Sequence, residues 1–195
     1  MNPRIKKHLR NFIYAVIFIA MIGCFIYLGD KYTTKEAPKI TITDYYKNVE
    51  NNKFKIVKGR ELISLLKKGK HLIVIGNKDS DYSEKYMEEI NAIVTELEID
   101  KIYYYDLIND KVQGNSNYYE IVELLDGYLV TTDTSRKNLF APSFYIVDNG
   151  KVKYYNVEAI AMKNTDTVQT YWDQEKEFSF NYEVTDAINK YYLNK

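Results

Sequence analysis

Leu72-Ile-Val-Ile-Gly-Asn-Lys-Asp-Ser-Asp-Tyr-Ser-Glu-Lys-Tyr86 decides the fold. Leu72–Ile75 is a continuous apolar run, the pattern of a strand covered on both faces. Gly76 opens a turn, and Ser80, Asp81 and Glu84 supply the small and acidic residues that start helices. Tyr82, Tyr86, Ile90, Ile93, Val94 and Leu97 then mark one side of a helix. Lys85, Glu88, Glu89, Asn91 and Glu96 mark the other. The segment predicts a buried strand, a tight corner and an amphipathic helix, with Ser80 and Ser83 at the helix start.

Working outward, Phe54-Lys-Ile-Val57 is a short strand candidate. Gly59 leads into a helix carrying Leu62, Ile63, Leu65 and Leu66, stopped by Gly69. Ile102–Tyr105 is a further strand ending at Asp106, and Tyr118–Leu125 a short helix ending near Gly127. Phe144–Val147 and Val152–Tyr155 flank Asp148-Asn-Gly150 and form a hairpin, because Asn-Gly supplies the positive φ of a tight turn. Val184, Ala187, Ile188, Tyr191 and Tyr192 repeat at helical spacing. Strands alternating with helices predict an α/β domain with a mixed sheet.

Ahead of this domain, Phe12–Leu28 is uncharged and almost wholly apolar. Its ten Phe, Ile, Leu and Val residues favour membrane insertion by roughly 3–6 kcal/mol. Its 17 residues span about 26 Å as a helix, the short end for a bilayer. Arg4, Lys6, Lys7 and Arg10 precede the run without an acidic residue, so the positive-inside rule predicts a cytoplasmic residues 1–11, a transmembrane anchor at 12–29 and an extracytoplasmic remainder. A lipoprotein cut before Cys24 and a cleaved secretory product are the alternatives. No small-residue cleavage site stands out before Asp30, and the apolar run continues past Cys24, so the single-pass anchor in a bacterial cell membrane is the primary expectation. Residues 30–52 read as a polar stalk, 53–195 as the domain, and about 157–182 as an insertion within it.

Four of the 27 basic residues and none of the 27 acidic ones lie in residues 1–29, so the remainder carries four excess acidic groups. That balance argues against nucleic acid, which needs a basic stripe. One cysteine excludes a disulfide framework. The 20 tyrosines read as compositional bias, not as a functional signal. One histidine beyond the apolar run, with scattered carboxylates, shows no metal-ligand spacing, and no cofactor is implied.

Ile75-Gly76, three residues, then Ser80-Asp81-Tyr82-Ser83 and Glu84-Lys85-Tyr86, together with Ala141-Pro142-Ser143 before an apolar strand, resemble the thioredoxin superfamily. The nearest likeness is to small membrane-anchored extracytoplasmic proteins of the bacteriocin-transport accessory type. The resemblance covers about residues 54–156 and the last helix. It implies that Ser80 and Ser83 occupy the two redox-cysteine positions and that Pro142 is cis and faces that corner. Disulfide exchange needs a thiolate, which a serine hydroxyl cannot replace. The expectation is therefore a non-enzymatic, redox-inactive accessory or adaptor for export, maturation or assembly of an envelope protein or peptide. The alternatives are a thiol-disulfide oxidoreductase with an unrecognised site, or a structural subunit of an envelope secretion or conjugation complex.

At the corner, Ser80 or Asp81 is expected to cap the helix, with Asp81 and Glu84 at capping-box spacing. A second reading makes Ser80, Asp81, Tyr82, Ser83, Ala141 and Pro142 a peptide-binding site. Serine nucleophilic chemistry lacks a partnering base and a G-x-S-x-G elbow. In the insertion, Trp172 and Tyr171 are either packing residues over the sheet edge or partner-docking anchors. Val168, Tyr171, Trp172 and Glu175 are spaced for a short helix.

Overall fold

The structure, a computed structural model, describes Tyr14 and residues 16–24, 40–49, 53–131, 137–161, 163 and 166–195. Two compact units divide at Lys39 and Ile40.

In the first unit Tyr14 and residues 16–24 are helical, here α1. Its side chains are exposed, including Val16, Ile17, Phe18, Ile19 and Ile22, as is the free thiol of Cys24. Among the described residues no helix is long and apolar enough to cross a membrane. Residues 1–13, 15 and 25–29, which complete the expected anchor and its basic flank, lie outside the described residues.

The second unit is α/β. Strands β1 (Phe54–Val57), β2 (Lys70–Gly76), β3 (Ile102–Asp106), β6 (Ser143–Asp148) and β7 (Lys151–Val157) form one mixed sheet in the order β1-β3-β2-β6-β7. The pairs β1–β3 and β2–β3 are parallel, whereas β2–β6 and β6–β7 are antiparallel. Helices α2 (Gly59–Lys67), α3 (Asp81–Glu96), α4 (Leu107–Gln113), α5 (Ser116–Leu124), α6 (Val168–Tyr171) and α7 (Gln174–Ile188) join or flank the strands. A mixed sheet flanked by helices is compatible with a thioredoxin-like fold. A two-stranded sheet of β4 (Val130–Thr131) and β5 (Lys137–Asn138) has no counterpart in the sequence reading, nor does α4. Both are too short for periodicity to reveal.

Strand β2 shows why the sequence commits to this arrangement. Leu72, Ile73, Val74 and Ile75 are all fully buried, and successive side chains point to opposite faces. Leu72 and Val74 join a core with Tyr86, Ile90 and Val94 of α3 and Val184 and Ile188 of α7. Ile73 and Ile75 join the other, with Leu62 and Leu66 of α2 and Ile121 of α5. At about 1.5–3 kcal/mol per buried aliphatic side chain, this one strand contributes roughly 6–12 kcal/mol before entropy is counted. A polar residue at any of the four positions would open one of the two cores.

The β6–β7 hairpin turns on Asn149 and Gly150, with φ of 47° and 81°, as a primed two-residue turn requires. Ile42, Tyr46 and Val49, within the stretch read as stalk, are buried in the α3/α7 core. Helix α7 begins at Gln174, so Phe178, Phe180 and Tyr182, assigned to the insertion from sequence, belong to the last helix.

Candidate functional site

Two segments far apart in sequence meet at the end of β2. Antiparallel pairing sets Ile75 opposite Ser143. The chain leaving β2 through Gly76 and Asn77 therefore runs alongside the chain entering β6 from Ala141 and Pro142. Asn77 and Ala141 line one cleft of about 340 Å³ with Leu107, Ile108, Lys111 and Phe140. The Ala141–Pro142 peptide bond is cis. Ser143 is fully buried, and its hydroxyl donates to the Phe140 carbonyl at 2.9 Å.

The two serines have unlike surroundings. Ser80 is the N-cap of α3, with extended backbone (φ −123°, ψ 121°), but its side chain makes no capping hydrogen bond. Asp81 is already the first helical residue and exposed, so it is not the cap, and the Asp81–Glu84 capping box expected from spacing does not form. Both acids instead lie in the first turn, where they complement the helix dipole. Ser83, one turn in, is fully buried, and its Oγ accepts the Asn77 amide at 3.2 Å. The hydroxyl thus ties the helix back onto the turn that precedes it.

Beneath this corner is a polar cluster that the sequence did not signal. Tyr46 and Tyr104 are almost wholly buried, and their hydroxyls lie 2.7 Å apart. Burial pushes both phenols well above the usual tyrosine range, so each stays protonated and one donates to the other. Ser83 lies near the Tyr46 hydroxyl and opposes part of that rise. Asp106 ends β3 opposite Gly76, at the carboxyl edge of the parallel strands where α/β ligand sites commonly lie. Burial raises its carboxyl above the ordinary value, against the amides of Ile108 and Lys78 and the Lys78 charge. Lys78 Nζ is 3.9 Å from Asp106 Oδ2, and that oxygen is buried without a hydrogen bond. A carboxylate directly after a buried strand is a signal that sequence reading could have taken up. Tyr46, placed in the stalk, offered none.

Tyr82 is half-buried, its hydroxyl donating to the Asp166 carbonyl. Trp172 is 5 % exposed and packs edge-to-face on Tyr86 and Phe180. Tyr171 donates to the buried carboxylate of Glu158, which also accepts from Lys176 and Asn156. Burial and that carboxylate push the Tyr171 phenol up. The structure therefore brings Asn77 and Ala141 together at the end of β2 and ties Ser83 to Asn77, whereas Asp81 and Tyr82 line a separate groove and Tyr171 and Trp172 lie in a packed seam over α3. Trp172 closes α6 as its C-cap, and Glu175 falls in α7.

His71 sits at the opposite end of β2, its Nε2 at 2.9 Å from the Lys68 carbonyl. Several strand residues at about 3.3 Å each separate it from Ser83, so it cannot serve that hydroxyl as a base. Among the described residues no three or more His, Cys, Asp or Glu side chains are grouped to hold a metal ion. No known protein-family model matches the chain, and no curated protein matches it either.

Proposed function

We propose that this chain is a redox-inactive, membrane-anchored, thioredoxin-like accessory protein of the bacteriocin-transport accessory type. In this reading the domain lies outside a bacterial cell membrane and assists export, maturation or assembly of an envelope protein or peptide. The observation that carries the reading is the meeting of Asn77 and Ala141 on one cleft, with hydroxyls at both positions where exchange chemistry would need sulfur. A mixed sheet in the order β1-β3-β2-β6-β7 supports it. Exposed apolar side chains around α1 support the anchor, since such surface is rarely left to water.

Without a thiolate the corner keeps shape but not turnover. What it retains is a preformed cleft lined by Leu107, Ile108, Phe140 and Ala141, with Asn77 and Lys111 as its polar members, suited to holding an extended chain. The test is in-cell photocrosslinking of the full-length chain from position 140, paired with an insulin-reduction assay. One envelope or exported protein captured, and no reduction, is the expected result. Capture of nothing, or catalytic reduction of insulin, overturns the reading.

A further inference from the structure

A larger groove of about 700 Å³ runs beside α3, on the side facing the insertion. Asp81, Glu84 and Glu88 line it along α3, and Glu177 of α7, Tyr82 and Trp172 complete its wall. Residues 81, 84 and 88 are spaced i, i+3, i+7, so they form one stripe along the helix. At 1.5 Å per residue the stripe is about 10 Å long. Among the described residues one lysine lines the groove, Lys85, and it is already committed to Glu89 at 2.6 Å and Glu177 at 2.7 Å. Among the described residues, therefore, no other lysine in the groove compensates Asp81, Glu84 and Glu88. The helix dipole accounts for acids in the first turn, which are Asp81 and Glu84. It does not account for Glu88, a turn further on, because the dipole fades within that first turn.

The groove walls are fixed in advance. Tyr82 donates to the Asp166 carbonyl, Asn48 donates to Glu88 at 2.7 Å, and Glu158 accepts from Tyr171 and Lys176, the chain neighbours of Trp172 and Glu177. A rigid channel of this kind needs no ordering when a ligand arrives. Carboxylates spread along about 10 Å of helix do not converge on one ion. They match instead an extended chain whose alternate side chains repeat roughly every 7 Å, with aliphatic stems lying on Tyr82 and Val168. We infer that this groove receives a lysine- or arginine-bearing segment of a partner protein. The inference rests on the accessory reading and supplies the partner's charge.

Trp172 is the sole tryptophan of the chain and lines the groove, so its emission reports occupancy directly. The full-length chain in non-ionic detergent is titrated with a short lysine-rich peptide lacking aromatic residues, and with a glutamate-rich counterpart. The expected result is a saturable change with the lysine peptide alone, weakened by added salt. Asp81→Asn, Glu84→Gln and Glu88→Gln together should weaken it about tenfold, the size expected of three solvent-exposed rim charges. Neutralising Glu96, Glu98 and Asp100, exposed beyond the groove, should leave affinity nearly unchanged.

Equal weakening by both triple variants, equal binding of the glutamate peptide, or the same saturable change with calcium chloride alone overturns the inference. If the lysine peptide fails while crosslinking from position 140 still captures an envelope protein, only the groove assignment falls. If it binds while nothing is captured, the accessory reading falls and the groove's preference stands.

Discussion

Gly76 and Tyr104 are locked together across the β2–β3 pairing. A Cβ on Gly76 would fall 2.5 Å from Tyr104 Cε2, and 2.8 Å from the hydroxyl oxygens of both Tyr104 and Tyr46. The bare backbone at the end of β2 is what lets a phenol pair lie directly beneath the corner. Gly76→Ala must push a ring that is buried on every side and already hydrogen-bonded. Overpacking of this kind costs about 1–3 kcal/mol. Urea unfolding of the variant should show a lower midpoint with an unchanged slope. An unmoved midpoint would mean the ring has room that the geometry denies.

The two serines should separate cleanly in stability. Ser80 holds the N-cap position without making the bond, so Ser80→Ala should change unfolding free energy by no more than about 0.5 kcal/mol. Ser83→Ala removes the buried acceptor of the Asn77 amide and a neighbour of Tyr46, a loss of about 1–2 kcal/mol. Thermal or urea denaturation of the pair checks both. The reverse ranking would contradict the assignment of Ser83 as the tie between turn and helix.

Asp106 gives the pH dependence a sign. Its carboxyl is raised in the folded state, chiefly by burial, so folding binds its proton more tightly than the unfolded chain does. Its stabilising effect is complete below the ordinary carboxylate value of about 3.9. It is lost as pH rises from there through the raised folded value. Asp106→Asn does not titrate, so the wild-type stability minus that of the variant should fall with rising pH across this window. Unfolding curves taken at intervals from acid to neutral pH provide the measurement. A difference that grows with pH would show that Lys78 outweighs burial.

Glu158 ties α6 and the start of α7 to the end of β7. It is 4 % exposed and accepts from Tyr171, Lys176 and Asn156. Glu158→Ala leaves those donors unpaired. Because the Lys176 side chain is partly solvated, a cost of about 2–4 kcal/mol is expected, somewhat below that of breaking a fully buried pair. Tyr171→Phe, which removes one donor, should cost about 1 kcal/mol. Trp172 emission should shift to the red in the first variant and barely move in the second. Trp172→Ala itself should cost about 3–5 kcal/mol, since it empties a seam against Tyr86 and Phe180.

Strong local periodicity made most elements legible. The Leu72–Ile75 run, the faces of α2 and α3, and the Asn149-Gly150 turn each carry their instruction in a few adjacent residues. The meeting of Asn77 and Ala141 on one cleft has no local signal in the sequence, because it depends on the antiparallel pairing of β2 with β6. Capping at Ser80 was not legible, because residue type states what a side chain can accept, not whether a donor reaches it. Val168 and Tyr171 are helical as their spacing predicts, but that helix stops at Tyr171, Trp172 is its C-cap and Glu175 belongs to α7.

By itself, then, the sequence determined an α/β chain whose central strand must be covered on both faces, because four consecutive large apolar side chains leave no side for water. Only the tertiary structure decided that Tyr46, Tyr104, Ser83 and Asp106 share one buried corner. The same holds for Glu158, which ties α6 and α7 to the end of β7, and for Asp81, Glu84 and Glu88, which face a groove walled by Thr167, Val168, Gln169 and Trp172 with Glu177 of α7. Those residues come from segments separated by tens of positions, and no local pattern encodes which partners the packing of two cores brings within hydrogen-bonding reach.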